Sequence, residues 1–254
     1  MRPTFIGHAF RRVESAGSTN ADLARMALED PELPDGFVLL ADKQTAGKGR
    51  QGRSWSSPPG SGLTFSVLLK PGVTPLRAST LPLAAGLAVA RAVEGLVPGG
   101  GVGLKWPNDL HAGGRKLCGI LCEMRAEGDV VRHVIAGMGI NVNLAAEEMP
   151  PEIAAVATSL QILAGRKFDR DEVLSAILLS FDETYGTWWS AGFPALLGEI
   201  GRYDIMRGRP VAVECGSRRI EGVAAGMADD GALLVRHADG SIEPVYSGDA
   251  HVSR

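Results

Sequence analysis

Two apolar runs between residues 117 and 142 constrain the fold of this 254-residue chain more than any other feature. Residues 117–124 and 130–142 flank Glu127-Gly128-Asp129, the pattern of an antiparallel hairpin closed by a short glycine turn. Upstream, Leu63-Thr64-Phe65-Ser66-Val67-Leu68-Leu69 alternates apolar with small polar residues, which predicts a strand with one covered face. Residues 36–40 read as a further buried strand. Strands that adjoin without an intervening helix point to an α+β fold, a mixed or antiparallel sheet flanked by helices, rather than to a doubly wound parallel sheet.

The helices are placed by periodicity and by their ends. Residues 19–28 begin at Ser18 and Thr19, carry Asp22 three positions after Thr19, and space Leu23, Met26 and Ala27 helically. A long small-residue helix starts near Thr74 and Pro75, or later because of Pro82, and stops at Pro98-Gly99-Gly100-Gly101. Residues 169–189 put Val173, Leu174, Ile177, Leu178, Phe181, Tyr185 and Trp188 on one face behind an acidic first turn, and this helix is expected to close the large domain. From Gly208 the texture changes to short strands, 211–214, 232–237 and 242–246, punctuated by Asp230-Gly231 and Asp239-Gly240. A small β-barrel of about five strands is the expectation, with one domain over residues 1–205 and a second over 206–254.

Composition excludes several functional classes. The net charge of −3 gives no global attraction to nucleic acid or an anionic membrane, so anion recognition has to be local. Cys118, Cys122 and Cys215 are odd in number and follow no signal-like segment, which suggests free thiols in a reducing compartment. No segment approaches a membrane span of roughly 20 apolar residues, and a cytoplasmic protein is expected. Cys118 and Cys122 are four residues apart on a strand, about 13 Å, too far to share a metal ion.

The local cluster of cations lies in Gln44-Thr45-Ala46-Gly47-Lys48-Gly49-Arg50-Gln51-Gly52-Arg53-Ser54-Trp55, three cations within six positions among three glycines. Its G-x-G-x-x-G spacing matches a dinucleotide fingerprint, but that motif must open a helix, and this loop runs into Ser56-Ser57-Pro58-Pro59-Gly60. A kinase glycine loop also fails, for want of the downstream aspartates. By itself the loop reads as a solvated basic turn, an anion cradle or a nucleic-acid patch.

A second motif changes the weighting. Lys105-Trp106-Pro107-Asn108-Asp109-Leu110 is followed by Gly113-Gly114-Arg115-Lys116-Leu117-Cys118-Gly119-Ile120-Leu121, and then by Gly137-Met138-Gly139-Ile140-Asn141-Val142-Asn143. The order and spacing of these segments and the glycine loop resemble biotin protein ligases over nearly the whole chain. The resemblance implies the class II synthetase-like, lipoate-ligase-like catalytic fold with a small SH3-like C-terminal barrel. It also implies an ATP- and magnesium-dependent enzyme that converts biotin to biotinyl-5'-AMP and passes the biotin to a lysine of an apo biotin carboxyl carrier protein or domain.

Residue by residue, the resemblance places Ser18, Thr19 and Asn20 at the ureido end of biotin, although helix capping remains a competing reading for Thr19. Gln44, Gly47, Lys48, Gly49, Arg50, Gly119 and Gly139 join them as biotin-binding positions, and Gly137 is a further close approach of backbone to ligand. The family usually carries Arg where this chain has Lys48, which removes a guanidinium fork and keeps a point charge. Lys116 matches the lysine that reaches both the biotin carboxylate and the α-phosphate; alone it would be read as a surface lysine. With Arg50 and Arg53 it forms the implied catalytic set. Arg53, Trp55, Lys105, Asn108, Asn141 and Asn143 are implied on the ATP side, and Asp109 as a magnesium ligand. For Trp55 a core position is an equal alternative.

The chemistry suits these residue types. A carboxylate must attack the α-phosphorus of ATP, so two anions have to be brought together, and cations with no competing covalent role achieve that. Ser18-Thr19-Asn20 comes too early for a preceding helix-turn-helix, so DNA repression is not expected, and the end 248–254 fits the family pattern loosely at Arg254. A homodimer through an exposed sheet edge is compatible with the resemblance, and no membrane partner is expected. A lipoate-type ligase is the nearest rival, and a non-catalytic anion- or RNA-binding module is the rival from another class.

Overall fold

The computed structural model describes residues 6–149 and 151–252. Arg254 therefore lies outside the described residues. In chain order the elements are β1 (Phe10–Ala16), α1 (Thr19–Glu29), β2 (Val38–Gln44), β3 (Gly62–Leu69), α2 (Pro75–Ala78), α3 (Leu81–Leu96), β4 (Val102–Lys105), β5 (Asp109–Ala112), β6 (Arg115–Glu127) and β7 (Val130–Asn141). There follow α4 (Pro151–Ala154), α5 (Leu160–Ala164), α6 (Arg170–Ala191) and α7 (Pro194–Tyr203), then β8 (Pro210–Cys215), β9 (Arg218–Met227), β10 (Leu233–Arg236), β11 (Ile242–Val245) and β12 (Asp249–Val252).

The first seven strands form one mixed sheet in the order β1-β2-β3-β7-β6-β5-β4. Its single parallel pairing is β1 with β2, and the remaining neighbours are antiparallel, so the α+β expectation holds. Its backbone is the expected hairpin: β6 and β7 pair from Cys118↔Ile140 to Glu127↔Val130 around Gly128.

Helices cover both faces, and this corrects the expectation for β3, all eight of whose residues are buried. Leu63, Phe65, Val67 and Leu69 enter the main core with α3 and α6. Leu68 enters a second cluster with Leu23 of α1, Phe37, Leu39 and Ile135. The small polar residues Thr64 and Ser66 are buried rather than in water: Thr64 donates its hydroxyl to the Ala41 carbonyl of β2, and Ser66 hydrogen-bonds to residues of α1. Their alternation thus marks a buried polar seam.

The long small-residue helix is two pieces, α2 and α3, broken at Ser79 and Thr80 with Pro82 in the first turn of α3. Together Pro75–Leu96 are long and apolar enough by composition to cross a bilayer, contrary to the expectation from the sequence, but most of the stretch is buried inside the fold. The small residues Ala84, Ala85, Gly86, Ala88 and Ala90 let α3 sit deep between the sheet and α6. Across that contact Trp188 donates its indole N–H to Thr80 Oγ1 at 2.7 Å. Helix α6 does not end the large unit, because α7 follows and packs on both α6 and α3.

The C-terminal strands make a separate antiparallel sheet in the order β11-β10-β9-β8-β12, an SH3-like unit whose hydrogen bonding leaves β11 and β12 as edges. Its strand β9 and edge β12 were not among the runs read from the sequence.

Candidate functional site

A cleft opens where α1, the glycine loop, β4 to β7 and β12 converge, with about 930 Å³ of empty space counting the part open to solvent. That is within the range of sites for ligands of drug size. Its floor is backbone. Gly119 faces Gly139 across the β6–β7 ladder, and Gly137 faces Leu121. A Cβ on Gly137 would come 2.1 Å from Asn20 Oδ1, and one on Gly139 would come 2.4 Å from Trp55 Cε2. These two glycines are what allow a polar side chain and an indole to lie directly on the sheet.

At the α1 end the polar residues are buried and mutually bonded. Ser18, Thr19 and Asn20 are each at most 5% exposed. Ser18 is the N-cap of α1 but makes no side-chain capping bond, so the capping reading is replaced by a different one. Thr19 donates its backbone N–H to Gln44 Oε1 at 2.8 Å, and its hydroxyl lies 3.1 Å from the same oxygen. Asn20 Nδ2 donates to the Leu121 carbonyl at 3.1 Å and to Glu123 Oε2 at 2.7 Å.

The basic loop is a small hairpin. Trp55 N–H donates to the Gly47 carbonyl at 2.9 Å, Gly49 N–H to the Arg53 carbonyl at 2.7 Å, and a tight turn over Arg50–Gly52 reverses the chain. Gln51 there has φ 54°, an uncommon left-handed position for a residue with a side chain. No helix follows the loop, which agrees with the rejection of the dinucleotide fingerprint.

Two arginines fasten the loop elsewhere. Arg50 donates to Asn108 Oδ1 at 3.1 Å and to the Gly248 carbonyl at 3.4 Å. Arg53 forms a two-oxygen ion pair with Asp249 at 2.7 Å, its side chain still 59% exposed. Lys48 is exposed at the cleft rim. Trp55 lies in the cleft over Gly119 and Gly139 rather than in the core, with Lys116 Nζ 5.8 Å from its ring centre.

Lys116 is held firmly by its backbone. Its N–H donates to the Val156 carbonyl at 2.7 Å, and its own carbonyl accepts from Thr158 N–H at 2.9 Å. A β-bulge between β5 and β6, where the register slips by one residue at Leu110/His111, re-aims the strand beside it. Its ammonium pairs with Asp109 Oδ1 at 2.8 Å. Lys105 lines the same wall, and burial pulls its pKa below the ordinary lysine value, with Lys116 and Arg53 adding to the fall. An arriving anion would reverse that penalty.

The structure thus gathers Ser18, Thr19, Asn20, Gln44, Lys48, Gly49, Arg50, Arg53, Trp55, Lys105, Asn108, Asp109, Lys116, Gly119 and Gly139 around one cleft. It does not bring Gly47, Asn141 or Asn143 to the lining. Gly47 is buried against the Trp55 carbonyl, 2.3 Å from where its Cβ would sit. Asn141 spends its amide on the Thr158 carbonyl at 3.0 Å, and Asn143 is bonded twice to the Phe168 backbone. In the structure both asparagines anchor backbone: Asn141 holds the 157–158 segment that holds Lys116.

Sequence reasoning missed Ser54, Met138 and the β12 residues Asp249, Ala250 and His251. Only contacts spanning some two hundred positions bring β12 to the cleft, so no local signal could have found it. Cys118 is buried, Cys122 is pushed up to about 12 by burial, and neither lies with metal-binding neighbours among the described residues.

The Biotin/lipoate A/B protein ligase family model matches residues 13–141, and that of the Biotin protein ligase C terminal domain matches residues 208–252. The chain is 38% identical to the Bifunctional ligase/repressor BirA of Bacillus spizizenii, over 87% of this chain and 68% of that protein. It is also 38% identical to the Biotin--[acetyl-CoA-carboxylase] ligase of Mycobacterium tuberculosis, over 88% and 81%. The structure superposes with a TM-score of 0.82 on the biotin protein ligase of Aquifex aeolicus solved in complex with biotin and ATP, at 32% identity over 97% of this chain and all of that one.

Proposed function

The chain belongs to the biotin/lipoate A/B protein ligase family and is a biotin protein ligase, and from that premise we propose how its cleft performs the two half-reactions. One observation carries the proposal: a neutral, hydrogen-bonding end at Thr19, Asn20 and Gln44 lies in the same cleft as a cationic end at Lys116, Lys105, Arg50 and Lys48. Biotin has the same polarity, a neutral ureido ring at one end and a carboxylate at the other.

In the first half-reaction a biotin carboxylate oxygen attacks the α-phosphorus of ATP, the bond to the bridging oxygen breaks, and pyrophosphate leaves. Lys116 would stand between the two anions, because its backbone is clamped while its ammonium is paired with Asp109. Lys48 and Arg50 would neutralise charge from the loop side, and Lys105 would regain a fully favourable ammonium beside phosphate. Trp55, already packed over the floor glycines, offers a surface for the nucleotide base.

Among the described residues no three-ligand metal cluster exists. Magnesium that arrives on nucleotide phosphates needs only one or two carboxylates from the protein, and Asp109 meets that requirement. When bound, the ion would screen the departing pyrophosphate.

In the second half-reaction the neutral ε-amine of a lysine on an apo biotin carboxyl carrier protein attacks the acyl carbon of biotinyl-AMP, forming the amide and releasing AMP. We divide the chain near residue 205, with the C-terminal sheet contributing Asp249 and His251 to the cleft wall. The test is incubation with magnesium, biotin and ATP labelled at the α-phosphate, with lipoate in a parallel reaction. Labelled biotinyl-AMP with biotin alone supports the reading. Adenylate with lipoate alone, or with neither acid from folded protein, rejects it.

A further inference from the structure

Ser66 and Glu123 belong to no motif singled out in the sequence, yet they flank the residues at the neutral end of the cleft. Ser66 is fully buried on β3, with Oγ 2.6 Å from Asn20 Oδ1 and 2.8 Å from Thr19 Oγ1. Glu123 on β6 accepts from Asn20 Nδ2 at 2.7 Å.

Proton counting fixes the direction of the bonds that Asn20 makes in this seam. Asn20 faces the Leu121 carbonyl and the Glu123 carboxylate on one side, and neither of these can donate, so its NH2 must point there and its oxygen towards Ser66. The Asn20 oxygen carries no proton, so Ser66 spends its only one on it. The Thr19 hydroxyl lies 2.8 Å from Ser66 Oγ and 3.1 Å from Gln44 Oε1, and whichever of the two takes its single proton, Thr19 Oγ1 keeps a lone pair. Gln44 Oε1 still receives the Thr19 backbone N–H at 2.8 Å, which holds that amide with its oxygen on Thr19 and its Nε2 on the side of Gly47.

We infer that Ser66 and Glu123 are positioning residues that set the polarity of the biotin end, leaving Thr19 Oγ1 to the ligand as an acceptor and Gln44 Nε2 as a donor. A cyclic urea presents N–H donors beside a carbonyl acceptor, the complement of that pair. The inference rests on the biotin reading above. Neither side chain needs to touch the ligand; each acts through Asn20 and Thr19.

The experiment is steady-state adenylation by the full chain with biotin and ATP varied separately, for the wild-type protein and the variants Ser66→Ala, Glu123→Ala and Glu123→Gln. The two alanine variants are expected to raise KM for biotin roughly tenfold, the size of losing one hydrogen bond to a charged or polar partner. Their kcat and KM for ATP should stay within about twofold of wild type. Glu123→Gln, whose amide oxygen can accept the same N–H, should recover most of the loss. Because Glu123 is exposed, its variants test the inference even if Ser66→Ala does not fold. Unchanged KM for biotin in an active Glu123→Ala protein, or equal movement of both KM values and kcat, overturns the inference and leaves the ligase reading intact. A wild-type protein that makes no adenylate from biotin overturns both.

Discussion

The floor of the cleft and the loop above it are built by opposite means. The β6–β7 floor is a continuous antiparallel ladder whose strand β7 is almost wholly buried from Val134 onward, so its glycines are fixed by pairing on both sides. The 44–55 loop is largely exposed and is held by a few hairpin bonds and by Arg50 and Arg53 reaching Asn108, Gly248 and Asp249. A floor of this kind can supply precise placement before any ligand arrives. A loop of this kind supplies charge, and its own contacts are weak enough to be exchanged for those to a ligand.

Changes at the meeting point of the two should have the largest effect. Lys116→Ala removes the clamped cation and leaves the sheet untouched, so adenylate formation should fall by about 100-fold or more, with a melting temperature within a few degrees of wild type. Single-turnover adenylation alongside calorimetry checks this, and near-normal turnover would take Lys116 out of the chemistry. Gly137→Ala strikes the floor itself, where a methyl would overlap Asn20 Oδ1. It should cost about 1–3 kcal/mol, the usual range for overpacking, and lower the melting temperature by several degrees. A melting curve superimposable on wild type would mean that the floor is softer than its ladder implies. Arg53→Ala should matter least to the fold, by less than about 1 kcal/mol, since the Arg53–Asp249 pair is solvent-facing. Its effect should appear instead as faster proteolytic cleavage within residues 44–55, and unchanged cleavage would show that the ion pair does not fasten the loop.

The same contrast explains what was legible in the sequence. The hairpin, the helix over 170–191 and the glycine-rich cation cluster declare themselves within short windows, because periodicity, turn residues and local charge are properties of neighbours. Strand β1, Phe10–Ala16, does not: it is largely exposed, carries four charged or polar residues in seven, and is a strand only because β2 pairs with it. Asn141 and Asn143 have the residue type for nucleotide contacts, but their partners Thr158 and Phe168 are set by where the following segment returns. Asp249 and Ser66 were likewise hidden, one by sequence distance and one by the ordinariness of a serine in an alternating strand.

Hydrogen exchange of the full chain, with and without biotin and magnesium ATP, tests most directly whether the floor is preformed and the loop completed by ligand. Slowing of exchange across 44–55 by at least about tenfold on ligand addition, with 134–141 already slow and unchanged, is the expected result. Equal protection of the loop in both states, or a floor that becomes protected only with ligand, would contradict it.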